Sequence, residues 1–349
     1  MPEQRPGIVL LGGDLATVAS VGRRAEQAGF ASVWTTEFYE RSAPVSLAVM
    51  AQTTQRVRIG SAIAYAVGRS PLVLSAEARD VDELSGGRLV LGLGTGTRTM
   101  QRDWHGVDPE APAVRVEELV PLLRRFWAMD QSGIDHEGRF YRVHLRPTVE
   151  VRAPLRPDIP VYLAGVNPRM VRAAGRVADG LVGHPLSTPE YLDEVARPAL
   201  VAGAQEAGRR PEDVAVAGYV ICAVHDDAAV ARNEARAQIA FYSVVRTYAP
   251  ILELHGFSGH AAEIRAAWDR RDSAGMLAAV PDAMVDAMAC AGTPDEVREQ
   301  FAARFAGVYD DALLYSPSFG LPAARFQENL DAILETFAAA EPPGRAPGW

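Results

Sequence analysis

The chain has 349 residues, of which 48% are hydrophobic and 23% are charged, and its net charge is −9. These proportions are typical of globular proteins, and an acidic chain without a basic run is unsuited to binding nucleic acid or an anionic membrane. The 35 lysine and arginine residues are all arginine. That excludes lysine Schiff bases, lysine-linked pyridoxal phosphate and a P-loop lysine.

The location of the protein is predicted from its cysteines and its hydropathy. Two cysteines, Cys222 and Cys290, cannot form a disulfide framework. No apolar stretch approaches the roughly 20 residues that span a bilayer, and the first residues lack a signal-peptide pattern. We therefore expect a cytoplasmic protein with no membrane partner.

The first half of the chain alternates short apolar runs with helical patterns. Strands are predicted at 8–11, 32–36, 57–66 and 88–93, and helices at 15–28, 45–55 and 71–85. The helix at 15–28 has Asp14 as a cap before it and Gly29 as a stop after it. Strands that alternate with helices of this length indicate βαβ units and a parallel sheet.

The second half repeats the pattern. Strands are predicted at 160–164, 180–183, 214–224 and 312–315, and helices at 168–177, 188–208, 227–245, 294–305 and 322–339. Eight strand–helix units favour a closed (β/α)8 barrel, or TIM barrel, over an open doubly wound sheet. We predict a single barrel domain over residues 1–340 and a flexible tail over 341–349.

Two stretches interrupt the alternation, after the fourth and the seventh strand–helix units. Residues 131–158 contain a predicted hairpin, and residues 246–292 contain short helical pieces with aromatic residues and histidines. Long excursions from a barrel usually form lids or oligomer contacts.

The active site of such a barrel lies at the carboxyl ends of its strands. The candidate residues there are Glu37, Ser61, Ala62, Ile63, Gly94, Thr95, Gly96, Ala164, Gly165, Val166, Asn167 and His184. The set lacks a nucleophile–base pair, and the seven histidines lack metal-ligand spacing, so no metal is expected. Glycines before a helix N-terminus suit a phosphorylated cofactor.

Each candidate also has a purely structural interpretation. Glu37 could form an ion pair with an arginine such as Arg41, and His184 could be a structural histidine. The only role of residues 165–167 could be to cap the next helix. Three aromatic residues could either pack or line a substrate pocket: Tyr39, Tyr65 and Trp104. Residues 92–96 have the pattern GxGxG rather than GxGxxG and follow a fourth strand, which argues against a dinucleotide fold.

Several segments together resemble the bacterial luciferase-like oxidoreductases. They are residues 26–37, 56–62, 84–96, 161–165, 178–180 and 292–297. The resemblance implies a TIM-type barrel that carries a flavin or deazaflavin. It is most similar to the branch that uses the deazaflavin coenzyme F420, which implies a cis peptide bond at Ala62–Ile63 against one face of the cofactor ring. It also implies a homodimer through the helices at 15–28 and 45–55.

This sequence departs from that branch at two positions. The acid–histidine pair of the family is Glu37-Phe38 here, and Thr97 replaces an acid after the glycine turn. Alcohol oxidation is therefore less expected than reduction of a carbonyl or unsaturated substrate.

The resemblance implies an F420-dependent oxidoreductase that transfers a hydride between C5 of the cofactor and a small organic substrate. The ring would lie against residues 61–63, and the phosphate would lie near residues 165–167. Glu37 and His184 are the candidate catalytic residues. One alternative is an FMN-dependent monooxygenase supplied by a partner reductase, and another is a barrel that binds the coenzyme without catalysis. The sequence does not identify the substrate.

Overall fold

The computed structural model describes residues 5–339 of the chain, so the predicted tail at 341–349 lies outside the described residues. The strands in chain order are β1 (Gly7–Leu10), β2 (Ser32–Thr35), β3 (Arg58–Ser61), β4 (Ala64–Tyr65), β5 (Leu89–Gly94), β6 (Ile134–Glu137), β7 (Arg142–Leu145), β8 (Val161–Ala164), β9 (Gly180–Val182), β10 (Ala215–Val224), β11 (Ala289–Gly292) and β12 (Asp311–Tyr315).

Eight parallel strands form one closed barrel. Hydrogen bonds join them in the order β1, β2, β3, β5, β8, β9, β10 and β12, and β12 pairs again with β1. The short strand β4 pairs with β5 through Tyr65 and Gly94, and β11 pairs with β10. The predicted (β/α)8 barrel is therefore confirmed.

Helices follow the strands along the chain. They are α1 (Leu15–Ala28), α2 (Ala43–Thr53), α3 (Pro71–Ser85), α4 (Pro112–Trp127), α5 (Pro168–Val177), α6 (Pro189–Tyr191), α7 (Arg197–Glu206), α8 (Ala228–Ser243), α9 (Ala249–Leu254), α10 (Ser258–Asp269), α11 (Ser273–Ala278), α12 (Asp282–Met288), α13 (Pro294–Arg304) and α14 (Ala323–Thr336). The caps predicted for α1 are present, because Asp14 accepts the Thr17 N–H at 2.7 Å and Gly29 has a left-handed φ of 86°. Within residues 5–339, no helix is long and apolar enough to cross a membrane.

The structure corrects two of the predicted elements. The helix predicted at 188–208 is interrupted, because a π-helical turn over Leu192–Ala196 separates α6 from α7. Residues 289–292, placed in the second excursion, form β11 beside residues 221–224 of β10. The small side chains of Ala289 to Gly292 carry little strand signal, so only the pairing with β10 distinguishes them from the preceding helix. The predicted hairpin is present as the antiparallel pair β6–β7.

The chain divides into two compact units. The first unit comprises residues 5–33, 183–193 and 217–339, and the second comprises Trp34–Val182 and Glu194–Val216. The prediction of one domain over residues 1–340 stays a prediction.

In the first unit, the buried amide of Asn329 joins the ends of two strands. Its Oδ1 accepts the Val224 N–H at 2.6 Å, and its Nδ2 donates to the Cys222 carbonyl at 3.0 Å and to Ser316 Oγ at 2.8 Å. Helix α14 is thereby fixed to the carboxyl ends of β10 and β12. Cys222 is fully buried, consistent with a core thiol.

In the second unit, glycines allow β3 and β5 to approach each other closely. A methyl group on Gly60 would lie 2.3 Å from the ring of the buried Trp34, and one on Gly92 would lie 1.8 Å from the Ser61 carbonyl oxygen. The Ser61 hydroxyl donates to the Gly92 carbonyl at 2.8 Å and accepts the Gly92 N–H at 3.1 Å. This pairing fixes the carboxyl ends of β3 and β5 side by side.

Arg88, next to the start of β5, holds that strand to the end of α2. Its guanidinium donates to Thr54 Oγ1 at 2.8 Å and to the carbonyls of Val57, Ala51 and Thr54 at 2.8, 3.1 and 3.0 Å. Its Nε donates to the Ser85 carbonyl at 2.6 Å. One side chain thus satisfies several carbonyl groups at the end of a helix.

Replacing Arg88 should therefore destabilise the fold. We expect Arg88→Met to lower the free energy of unfolding by about 2–4 kcal/mol, because it leaves these carbonyls without their donor. Urea unfolding followed by circular dichroism measures the change. Arg102→Met is the control, since exposed Arg102 pairs with its neighbour Asp103, and it should leave the stability nearly unchanged. Equal losses in the two variants would contradict the assignment.

Candidate active site

Residues at the carboxyl ends of four strands meet in the second unit. The Glu37 N–H donates to the Ile63 carbonyl at 2.8 Å. A methyl group on Gly94 would lie 2.7 Å from Ile63 Cδ1 and 3.3 Å from Ala164 Cβ. We call Glu37, Ile63, Gly94 and Ala164 the strand-end cluster. The sequence predicted each of these residues, and the structure brings them together.

The loop between β3 and β4 forms the centre of this cluster. The peptide bond Ala62–Ile63 is cis, as the sequence resemblance implied. The Ala62 N–H donates to the Thr35 carbonyl at 2.8 Å, and the Ala66 N–H donates to the Gly94 carbonyl at 2.8 Å. The loop is therefore attached both to the end of β2 and to the end of β5.

A buried ion pair fixes the position of the loop between β3 and β4. Glu37 is 8% exposed, and its carboxylate accepts two hydrogen bonds from the Arg69 guanidinium at 2.7 and 2.5 Å. It also accepts the Tyr65 N–H at 2.8 Å and the Ala43 N–H at 3.3 Å. Ion pairing, the structural alternative for Glu37, is thus present with Arg69 as the partner. Sequence reasoning missed Arg69, because nothing local marks a partner 32 residues away.

The charge balance of this ion pair extends to a second acid. Arg69 Nε lies 3.0 Å from Glu77 Oε2. The hydrogen bond to Glu37 raises the pKa of Arg69, and burial raises the pKa of Glu77. With both oxygens of Glu37 already accepting N–H groups, the geometry favours a positioning role for this carboxylate over proton transfer.

Three buried polar atoms near the cluster have no hydrogen-bond partner. They are Tyr65 Oη, Gln101 Oε1 and His105 Nε2. The Tyr65 and His105 rings meet edge to face with centroids 4.6 Å apart. Burial, with the nearby charge of Glu37, raises the pKa of Tyr65 to about 12, so its hydroxyl stays protonated. Gln101 and His105 were not predicted from the sequence.

Three exposed aromatic rings form a group of their own, and two of them, Phe38 and Tyr39, follow Glu37 directly in the chain. Phe38 contacts Tyr39 and Trp104 with centroid distances of 4.3 and 5.3 Å. The three residues are 44%, 75% and 46% exposed. An apolar group this exposed marks a binding surface more often than a packing core. Tyr39 and Trp104 therefore belong to one exposed group and remain candidate substrate contacts. Tyr65 lies instead with the buried side chains of Gln101 and His105.

The candidate phosphate segment follows β8. The Gly165 N–H donates to the Val182 carbonyl at 3.1 Å, and Asn167 precedes α5 without a side-chain hydrogen bond that caps the helix. A methyl group on Gly165 would lie 3.1 Å from the Val171 nitrogen. Residue 165 therefore cannot be enlarged without straining α5, whether or not a ligand is bound.

His184 follows β9 and belongs to the first unit. Its ring stacks on Tyr248 at 3.6 Å between centroids and meets Tyr242 edge to face at 4.8 Å. Its Nδ1 accepts the Leu186 N–H at 3.2 Å, which leaves the ring proton on Nε2. Burial lowers the pKa of His184 to about 3. The side chain is therefore a neutral hydrogen-bond donor at neutral pH.

Among residues 5–339, the histidines, cysteines and acids form no group of three or more that could hold a metal ion.

The family of the chain follows from residues 1–311, which match the luciferase-like monooxygenase family. The chain belongs to this family. It is an oxidoreductase family member whose relatives include F420-dependent reductases and oxidoreductases.

Two relatives and one solved structure are similar to this chain over most of its length. A 5,10-methylenetetrahydromethanopterin reductase of Methanolobus tindarius is 31% identical over 285 residues, which is 80% of this chain and 84% of the relative. A putative coenzyme F420-dependent oxidoreductase of Mycobacterium tuberculosis is 30% identical over 302 residues, with 80% and 84% covered. The structure of the F420-dependent tetrahydromethanopterin reductase from Methanopyrus kandleri aligns with a TM-score of 0.78 at 25% identity, and the alignment covers 96% of this chain and 98% of that one.

The ion pair of Glu37 and Arg69 should be energetically coupled. In a double-mutant cycle with Glu37→Gln and Arg69→Met, we expect a coupling free energy of about 1–3 kcal/mol from urea unfolding. The exposed pair of Arg102 and Asp103 is the control, and its coupling should be much weaker than that of Glu37 and Arg69. Strictly additive effects at Glu37 and Arg69 would show that the pair does not hold the loop.

The lowered pKa of His184 predicts a pH dependence of stability. The unfolded chain takes up a proton at this histidine below about pH 6.5, whereas the folded chain stays neutral until about pH 3. Its contribution to stability is therefore lost as the pH falls from 6.5 towards 3, on the order of 1 kcal/mol per pH unit.

His184→Asn isolates this contribution, because the Asn amide does not titrate and its Oδ1 can accept the Leu186 N–H. The wild-type protein should lose more unfolding free energy than the variant between pH 7 and pH 5. Parallel pH profiles for the two proteins would mean that His184 is protonated in the folded state.

Proposed function

We propose that the protein is an F420-dependent oxidoreductase that reduces a small organic substrate by hydride transfer from the cofactor. The observation that carries the proposal is the strand-end cluster, in which Gly94 lies close to both Ile63 and Ala164. The names of the Mycobacterium tuberculosis relative and of the solved reductase support F420 as the cofactor.

The residues of the second unit fit a flat polar ring with a phosphorylated tail. Small residues at the ends of β5 and β8 leave the backbone accessible, and the unpartnered atoms of Tyr65, Gln101 and His105 offer hydrogen bonds to a ring edge. Because the chain has no lysine, we assign the phosphate to the N-terminal end of α5, beside the backbone of residues 165–167, with Arg169 as a charged partner.

Reduced F420, when bound, supplies a hydride at its C5 atom. The protein contributes orientation and a hydrogen-bonding environment. We propose that Ser61, Ala62 and Ile63 support the ring, and that Glu37 acts by fixing this loop through Tyr65 and Arg69. Gly94, Thr95, Gly96 and Ala164 complete the contact surface in this proposal.

Two further residue groups have roles in the proposal. The exposed rings of Phe38, Tyr39 and Trp104 favour a substrate with an apolar, planar part. His184, in the first unit, is proposed as a neutral Nε2–H donor to the cofactor or substrate rather than an acid or base.

The assembly and its setting are also proposed. Leu15 on α1 and Val45 on α2 are 36% and 50% exposed, which favours burial of these two helices in a homodimer. We place the protein in the cytoplasm, where a separate reductase would supply the reduced cofactor.

Titration of the purified protein with F420, and separately with FMN, tests the cofactor. Quenching of cofactor fluorescence gives the dissociation constants, and the bound reduced cofactor is then exposed to oxygen and to candidate carbonyl acceptors. We expect F420 to bind at least tenfold more tightly than FMN and to be reoxidised by an acceptor rather than by oxygen. Tighter binding of FMN with rapid oxygen consumption would instead indicate a monooxygenase.

The phosphate assignment predicts a charge effect at residue 167. Asn167→Asp keeps a good helix cap but places a negative charge beside the phosphate. We expect F420 affinity to fall tenfold or more, with a smaller loss at high salt, while the melting temperature is unchanged or higher. Asn167→Ser is the control, since it caps the helix without charge. Wild-type affinity in Asn167→Asp would place the phosphate elsewhere.

A further inference from the structure

The unpartnered atoms near Gly96 require an explanation. A buried polar group without a hydrogen bond costs about 1–3 kcal/mol, and native proteins contain few of them. Here Tyr65 is 4% exposed and Gln101 is 1% exposed, and Tyr65 Oη and Gln101 Oε1 are both unpartnered. One of these atoms can donate a hydrogen bond and the other can only accept one.

The two side chains meet around one glycine. Gln101 Nε2 donates to the Gly96 carbonyl at 3.4 Å, and a methyl group on Gly96 would lie 3.3 Å from Tyr65 Cε1. The His105 ring holds the Tyr65 ring edge to face, and Gly68 leaves room for it, because a methyl group there would lie 2.5 Å from His105 Nδ1. The rings are thus fixed while their polar atoms remain unused.

Tyr65 is also fixed relative to the strand-end cluster. Tyr65 lies two residues after Ile63. Its N–H donates to the Glu37 carboxylate, and it pairs with Gly94 between β4 and β5. Tyr65 therefore directly follows the loop against which the proposed function places the cofactor ring. A carbonyl next to an N–H is a ligand group that could satisfy one donor and one acceptor from these two side chains.

We propose that Tyr65 and Gln101 bind the imide edge of the deazaflavin ring, with Tyr65 Oη donating to a ring carbonyl and Gln101 Oε1 accepting the ring N–H. This inference rests on the proposed function. It adds two residues to cofactor recognition and gives them opposite hydrogen-bonding roles. FMN carries the same imide edge, so the contact recognises the edge and leaves the choice between the two cofactors to other residues.

The protonation state of Tyr65 agrees with this role. Burial raises the pKa of its hydroxyl to about 12, so the hydroxyl donates a hydrogen bond throughout the physiological range.

Access to the edge requires a local movement. The polar atoms are enclosed in the free protein, and Gln101 lies in the π-helical turn Met100–Trp104. Gly96 and Gly106 flank this turn with left-handed φ values of 67° and 63°. Such glycines can take up a change in backbone direction at low cost, so the turn can shift when the ring enters.

The test compares F420 affinity and the stability of the free protein. Tyr65→Phe keeps the ring but removes the hydroxyl, and Gln101→Leu keeps the volume but removes the acceptor. We expect F420 affinity, measured by fluorescence quenching, to fall at least fivefold in each variant. The melting temperature of cofactor-free Tyr65→Phe should be unchanged or higher, because the lost hydroxyl had no partner.

Tyr141→Phe is the matched control. Tyr141 is also a largely buried tyrosine whose pKa is raised to about 12, and it packs against the hairpin cluster with Leu122, Phe126 and Ile134. Its removal should leave F420 affinity unchanged.

The outcomes separate the two proposals. If the wild-type protein does not bind F420, the proposed function fails. If the wild type binds F420 and Tyr65→Phe binds it equally well, the function stands and the inference is overturned. A clear fall in the melting temperature of cofactor-free Tyr65→Phe also overturns it, because the hydroxyl then has a partner in the free protein.

Discussion

The carboxylate of Glu37 is the contact on which the candidate site depends. It accepts hydrogen bonds from the Arg69 guanidinium and from the backbone of Tyr65 and Ala43. These donors lie on β4, on the segment that follows it and at the start of α2, so one buried side chain holds the three positions together. Because the ion pair is buried, the loss of either partner would strongly destabilise the fold, since no water replaces the lost partner of the remaining charge.

Close backbone contact is the second constraint. The ends of β3, β5 and β8 can approach each other because Gly92 and Gly94 carry no side chain, and the carbonyl of Ser61 and the side chain of Ile63 occupy the space that a Cβ would need. Because these positions lack large side chains, the surface at the strand ends consists of backbone and small side chains. Such a surface suits a flat ring that is bound by shape and by a few directed hydrogen bonds.

The sequence predicted the parts of the fold that are local in origin. Alternating apolar runs and helical patterns predicted the eight barrel strands, and the hairpin at β6–β7 followed from its own alternation. The strand β11 was missed because Ala289 to Gly292 are small and follow a helix without a break. The helix predicted at 188–208 has an apolar pattern on both sides of the π-helical turn, so the interruption leaves no local mark.

The residues of the candidate site show the same difference between features that the sequence predicts and features that it does not. Strand-end positions such as Ile63, Gly94 and Ala164 follow from topology, since the carboxyl ends of parallel strands meet at one rim of a barrel. Arg69 and Gln101 could not be predicted, because their roles depend on side-chain packing between segments that are distant in sequence. The cis peptide bond at Ala62–Ile63 was predicted from the family resemblance alone, because no periodicity in the chain indicates it.

A structure of the protein in complex with F420 tests the central claim most directly. The account predicts the deazaflavin ring against residues 61–63, with its phosphate in hydrogen-bond reach of the backbone at residues 165–167. It also predicts that the ion pair of Glu37 and Arg69 remains closed in the complex. A ring bound away from the strand-end cluster, or a Glu37 carboxylate released from Arg69 to contact the ring directly, would contradict it.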